Sequence, residues 1–274
     1  MSLFIIDDTK CNRCGMCVLQ CPRNVIEMLE PNSPPSLVDG GEERCVSCGH
    51  CVSICAPAAF SHRSMKPEEL LSVNKRMIPN PDSVELLLRS RRSIRTYKKK
   101  KVPREMLNRV INVARYAPSG SNSQMVRWLV IENPDEVKRL AGMVIDWMRA
   151  IMQAKPHRAK EWLFDILVDA WDRGEDPISR GAPHLVVAHA PKDRPFAEGN
   201  SYIALTYLEL AAHSLGLGTC WGGMFQAAIS SYQPLADALE IPEGNKSYGV
   251  MMVGYPKYVF HRMPLRNEPV ITWR

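Results

Sequence analysis

A chain of 274 residues, 45% hydrophobic and 23% charged, has the ordinary composition of a globular protein with one or two domains. No run approaches the roughly 18 apolar residues of a membrane span, and the opening MSLFIIDD carries acids where a secretory signal carries bases. A cytoplasmic protein is therefore expected. The net charge of +6 raises nucleic-acid binding as a function class, but the basic residues concentrate at Arg89–Lys101 rather than forming a general basic surface.

Eight of the nine cysteines fall within the first 55 residues, in two similar runs. The first is Cys11-x2-Cys14-x2-Cys17-x3-Cys21-Pro22 and the second Cys45-x2-Cys48-x2-Cys51-x3-Cys55. A cytosolic cluster of this kind points to metal rather than to disulfides. Three thiolates two residues apart can wrap one face of a 4Fe–4S cube, and the fourth ligand must come from elsewhere. The repeat supplies it, so the fourth cysteine of each run serves the other cluster. One cluster is thus assigned to Cys11, Cys14, Cys17 and Cys55, the other to Cys45, Cys48, Cys51 and Cys21. Gly15 and Gly49 sit inside the loops, where backbone must come close to the inorganic core. Zinc is the alternative, since Cys-x2-Cys alone would suit it; two complete four-cysteine runs favour iron–sulfur. The second run departs in one respect, with its proline displaced to Pro57. Two oxidised clusters with their thiolates would bring about −2 each, which offsets much of the formal surplus. Residues 1–62 are expected to form this domain, and 63–80 a connector with prolines near both ends.

From Pro81 to the C-terminus the chain is long enough to bury its own core. A short helix is expected over 84–89, capped by Asp82 or Ser83, and a second from Pro103 to just before Pro118, with apolar residues at helical spacing. Residues 127–132 and 184–190 read as buried strands, 133–153 and 156–171 as helices. Residues 200–215 read as a long apolar helix stopped by Gly216 and Gly218, and 247–253 as another strand. Helices interleaved with strands predict a sheet covered by helices.

Four segments here carry candidate chemistry. Arg91-Arg92-Ser93-Ile94-Arg95 puts three forked, permanently charged guanidinium groups and a hydroxyl within reach of a phosphate; a solvated basic face is the plain alternative, and Lys98–Lys101 is read that way. The loop Ala117–Gln124 gathers small polar residues after a helix end, and Gly216–Gly223 permits close backbone approach to a ligand. The fourth comprises Gly254-Tyr255-Pro256 and His261-Arg262-Met263-Pro264. Each alone is weak; a polar loop or an ordinary turn accounts for it. Cys220 reads as a small buried residue, and Trp147, Trp162 and Trp171 as core. No G-x-G-x-x-G follows a strand, so a dedicated dinucleotide domain is not expected.

In their order and spacing the four segments resemble the FMN-dependent nitroreductase family over residues 81–265, and residues 1–60 look like a two-cluster bacterial ferredoxin. The resemblance implies an α+β fold: a ferredoxin-like domain followed by a nitroreductase-like α+β sandwich with a mostly antiparallel central sheet, forming a homodimer with FMN between subunits. It implies that Arg91, Arg92, Ser93, Arg95 and Arg262 bind the phosphate and ribityl chain. Ser119, Ser121, Asn122 and Gln124 would line the isoalloxazine ring, and Cys220, Trp221, Gly222 and Gly223 its pyrimidine edge or N5 side. One departure is Met125-Val126, where relatives often carry Pro-Trp. The function implied is an oxidoreductase that moves electrons through two 4Fe–4S clusters to FMN and on to a small organic acceptor such as a nitroaromatic, quinone, enone or flavin. A ferredoxin or other low-potential donor, or NAD(P)H, would supply the electrons; neither nucleic acid nor membrane is an expected partner. A second reading is an electron-transfer or redox-sensing module of a larger complex, and a third keeps the enzyme as a reductive dehalogenase or flavin-fragmenting relative of the same fold.

Overall fold

An offset of 34 residues carries Cys11 onto Cys45, Cys14 onto Cys48, Cys17 onto Cys51 and Cys21 onto Cys55, and the backbone repeats with it. The computed structural model describes residues 2–274. Gly15 and Gly49 both take left-handed conformations, at φ 69° and 74°, and each starts a single helical turn, α1 (Met16–Leu19) and, later, its counterpart His50–Ser53. A side chain at either glycine would be strained. Arg13 and Ser47, and again Asn24 and Ala58, are left-handed at equivalent places. The elements in order are β1 (Phe4–Ile6), α1, β2 (Ile26–Glu27), β3 (Ser36–Leu37), α2 (Gly41–Arg44), α3 (His50–Ser53) and β4 (Phe60–His62). β1 pairs with β4 and β2 with β3, both antiparallel. The small core is Leu3, Phe4, Val25, Ile26, Val52 and Phe60, with the rings of Phe4 and Phe60 4.7 Å apart. This compact unit runs to Pro79 and also takes in Gly120–Ser123.

The second unit comprises Asn80–Ser119 and Gln124–Arg274. Its elements are α4 (Pro81–Ser90), α5 (Arg104–Ala114), β5 (Arg127–Ile131), α6 (Pro134–Ala154), α7 (Pro156–Glu161), α8 (Phe164–Asp172), β6 (His184–Pro191), α9 (Ala197–Ser214), β7 (Gly218–Trp221), α10 (Gly223–Ile229), α11 (Gln233–Ala238) and β8 (Asn245–Gly254). The sheet order is β5-β6-β8-β7, every pairing antiparallel. Strand side chains alternate between faces, and both faces of the central strands are buried. Leu185, Val187, Val250 and Met252 enter one core with α6, α8, α10 and α11. Val186, Ala188, Met251 and Val253 enter the other, with α5 and α9. Burial on both faces explains why β6 and β8 read as continuous apolar runs.

Several boundaries differ from expectation for local reasons. The cap of α4 is Asn80, whose side chain accepts the Ser83 N–H at 2.8 Å, with Pro81 preset for the first turn. α5 stops at Ala114; residues 115–117 tighten into turns, with Ala117 N–H on the Ala114 carbonyl at 3.0 Å, as the residue before Pro118 is kept out of the helical region. The helix expected over 156–171 is broken at Leu163, which is left-handed at φ 57°. No helix among the described residues is long and apolar enough to cross a membrane.

Candidate functional site

The first unit distributes its eight cysteines round two small cavities. Cys11, Cys14, Cys17 and Cys55 line one, and Cys21, Cys45, Cys48 and Cys51 the other. Among the described residues no three or more His, Cys, Asp or Glu side chains converge as a single metal ion would require. Backbone N–H groups point at the sulfurs: Val25 to Cys21 at 3.4 Å, Ser47 to Cys45 at 3.4 Å and Ala59 to Cys55 at 3.2 Å. Burial pushes the Cys51 thiol up to about 12 and raises that of Cys17, so these sites favour thiolate only when a cation compensates the lost hydration.

In the second unit the arginine segment is laid against β7 by backbone pairing. Ser93 bridges Thr219 in parallel, and the Ile94 N–H donates to the Thr219 carbonyl at 2.8 Å. Gly218 allows this approach, because a Cβ there would lie 2.5 Å from the Ile94 side chain. The C-terminal segment closes on the same stretch, with the Lys98 N–H on the Tyr255 carbonyl at 2.9 Å and the Lys257 N–H on the Thr96 carbonyl at 3.0 Å. Three of the four candidate segments thus meet at one sheet edge. Beside them lies a cavity of about 300 Å³ lined by Arg91, Arg92, Ile94, Thr219, Tyr258 and Phe260, among others.

The guanidinium groups are not equivalent. Arg91 Nη1 lies 2.9 Å from Glu209 Oε1, and Glu209 is buried. Arg92 donates through Nη1 to the Arg91 carbonyl at 2.8 Å, while its Nε is buried and has no partner. An unpaired buried donor beside a cavity is a place for an anionic oxygen. Arg95 is exposed, and so is Arg262, on the C-terminal coil. Cys220 is buried, its thiol raised by burial, and its Sγ donates to the Trp221 carbonyl at 3.7 Å. Trp221 is exposed and meets Tyr202 edge-on at 6.0 Å. Gly222 is buried, its N–H on the Val250 carbonyl at 2.8 Å, and Gly223 starts α10.

The remaining segment, the loop Ala117–Gln124, is divided between the two units. Ser119 accepts the Gln124 N–H at 3.0 Å, and both residues line a separate cavity with Trp128 and Asn200. Ser121 and Asn122 belong to the first unit. Ser121 Oγ accepts from Arg23 at 2.8 Å, and Asn122 Nδ2 donates to the carbonyls of Val46 and Ser47 at 3.1 and 3.0 Å. Within the second unit, therefore, Ser119 and Gln124 line a different cavity from the arginine segment. Sequence reading missed Glu209; its only signal was a single carboxylate within the apolar run of α9. It also missed Tyr97, whose buried hydroxyl lacks a partner and whose pKa burial raises.

Residues 88–255 match the Nitroreductase family model, and residues 10–59 a 4Fe-4S dicluster domain. An iodotyrosine deiodinase of Thermotoga neapolitana is 27% identical over 68% of this chain and 95% of its own length. An NADH dehydrogenase of Thermus thermophilus is 26% identical over 67% of this chain and 92% of its own. Among solved structures, an oxidized iodotyrosine deiodinase bound to FMN and 3-iodo-L-tyrosine matches at TM-score 0.55 and 25% identity, covering 70% of this chain and all but 2% of that one. A Bacteroides fragilis nitroreductase with bound FMN, at TM-score 0.57 and 22% identity over 72% of this chain and 100% of its own, shares the fold.

Proposed function

Because this chain belongs to the nitroreductase family and carries a 4Fe-4S dicluster domain ahead of it, we propose that it is an FMN-dependent oxidoreductase fed by two 4Fe–4S clusters and acting on a small organic acceptor. When bound, the clusters pass single electrons and FMN pairs them for delivery to the acceptor. The observation that carries the reading is the joint presence of two four-thiol cavities and an arginine-lined cavity with an unpaired buried guanidinium donor.

Arg92 and Ser93, with the exposed Arg95 and Arg262, would hold the phosphate and ribityl chain. Arg91 divides its charge between Glu209 and the ligand. Cys220, Trp221, Gly222 and Gly223 would face the ring's pyrimidine edge, Gly222 offering close backbone. Ser119 and Gln124 would line the ring from the second subunit of a homodimer, while Ser121 and Asn122 hold their loop through Arg23, Val46 and Ser47. Exposed apolar residues support the dimer: Tyr202, Ile203 and Tyr207 on α9, Leu86 and Leu88 on α4, and Trp273 in the C-terminal coil, 86% exposed. Large exposed apolar side chains of this kind are what an interface would cover.

A low-potential one-electron donor such as a ferredoxin would feed the clusters, NAD(P)H would meet the flavin directly, and the protein would work in the cytoplasm. The test is acceptor turnover with each donor, in the wild type and in Cys48→Ser. Loss of ferredoxin-driven turnover with retained NAD(P)H-driven turnover supports the wired enzyme. Equal turnover by both proteins with the ferredoxin would refute it, and no turnover of any acceptor by FMN-loaded protein would favour an electron-transfer module.

A further inference from the structure

The repeat that builds the first unit is broken at one position that faces a sulfur. The 34-residue offset carries Met28 onto His62. His62 closes β4, is buried, and puts Nε2 3.7 Å from Cys45 Sγ. Its other nitrogen fixes the direction of that contact. The Ser64 backbone N–H donates to Nδ1 at 3.1 Å, and the Ser64 hydroxyl stands 2.8 Å from the same nitrogen; with Nδ1 accepting, Nε2 carries the hydrogen. The Nε2–H therefore donates to the cysteine sulfur. Met28 has no N–H and can do nothing comparable. Cys45 also receives the Ser47 N–H and Cys21 the Val25 N–H, whereas in the other set Cys55 receives the Ala59 N–H.

We propose that His62 makes the two clusters unequal, giving the one held by Cys21, Cys45, Cys48 and Cys51 the higher reduction potential. The inference rests on the reading of the eight cysteines as ligands to two 4Fe–4S clusters. A hydrogen bond to a ligand sulfur stabilises the added negative charge of the reduced cluster more than the oxidised one, and hydrogen bonding to sulfur is among the levers that set such potentials. The extra donor acts on one cluster only. Its effect is a standing bias: at intermediate potentials a single electron entering this unit rests on the Cys45-side cluster. His62 is thus a positioning residue that acts through Cys45.

The test is an EPR-monitored redox titration of the intact, anaerobically purified protein and of His62→Met, which copies the first half of the repeat. The wild type is expected to show two one-electron midpoints. In His62→Met the upper one falls by the equivalent of about a tenfold change in the reduction equilibrium, ~59 mV for one electron, while the lower one stays. His62→Gln, which keeps an N–H donor, recovers part of the shift. Unmoved midpoints in a fully iron-loaded His62→Met protein overturn the proposal, as does a fall in the lower midpoint alone. If His62→Met fails to retain iron, the wild type decides. Electron–nuclear double resonance of the higher-potential cluster must show a proton coupling exchangeable in D2O together with imidazole nitrogen. Neither coupling, or both on the lower-potential cluster, rejects the idea. Failure of the ligand reading itself is separable, since it appears as protein with neither iron nor either EPR signal.

Discussion

Arg91 and Glu209, 118 residues apart in sequence, form a part-buried ion pair at 2.9 Å at the edge of the proposed phosphate site. The Thr219 hydroxyl also donates to the same carboxylate oxygen, at 3.4 Å, so one carboxylate ties the arginine segment to both α9 and β7. Glu209→Gln keeps the shape and removes the counter-charge. Breaking one side of such a pair costs about 2 kcal/mol here, below the usual figure for full burial because Arg91 keeps some contact with water. Adding FMN, whose phosphate supplies a new counter-charge, is expected to restore most of that loss. Denaturant unfolding with and without FMN measures both effects.

Gly218→Ala attacks the same junction by sterics. The new Cβ would stand 2.5 Å from Ile94 Cγ1, forcing the arginine segment away from β7 at a cost of roughly 1–3 kcal/mol. FMN affinity is expected to fall about tenfold or more. The double variant Gly218→Ala with Ile94→Ala removes the nearest atom but leaves the Ile94 Cβ at 2.8 Å, so it recovers part of the affinity. A fluorescence titration of FMN against the three proteins checks this, and additive losses would show that the two residues do not act through one contact.

Crossed ligation gives a pattern of pairs. Cys11→Ser and Cys55→Ser are expected to perturb the same EPR signal, and Cys21→Ser and Cys48→Ser the other, because the cavities pair the fourth cysteine of each run with the opposite run. Each single variant leaves the second signal in place. If Cys55→Ser instead perturbs the signal that depends on Cys48, the assignment is wrong.

Two buried histidines and one half-buried one in the second unit set a pH dependence. His184 Nε2 accepts the Val102 N–H at 2.9 Å, and its Nδ1 meets the Glu132 carbonyl at 3.0 Å. Burial lowers its pKa, and likewise those of His189 and His213. The unfolded chain then binds protons that the folded one refuses, so stability is complete above the ordinary histidine value of 6.5 and falls as pH drops through it. All six tryptophans lie in this unit, and their fluorescence reports its unfolding. The urea midpoint is expected to fall from pH 7.5 to 5.5, less steeply in His184→Asn.

What the sequence disclosed was local. The cysteine runs were legible because a cluster needs its ligands at fixed short spacings, and β6 and β8 because double-sided burial makes long apolar runs. β7 was not, since its four residues Gly218–Trp221 look like a turn and become a strand only through β8 and the arginine segment. Glu209 was invisible because its partner comes from a distant helix end. The division of the Ser119–Gln124 loop was equally hidden: Asn122 is fixed by carbonyls 75 and 76 residues away, and no local pattern announces that.

The most direct test of the central claim is anaerobic purification with iron, sulfide and flavin quantitation, followed by reductive titration in one cuvette. The account predicts about eight irons per chain, as two 4Fe–4S clusters require, together with one FMN and flavin reduction that follows cluster reduction. Zinc in place of iron, or a flavin that stays oxidised while the clusters are fully reduced, would contradict it.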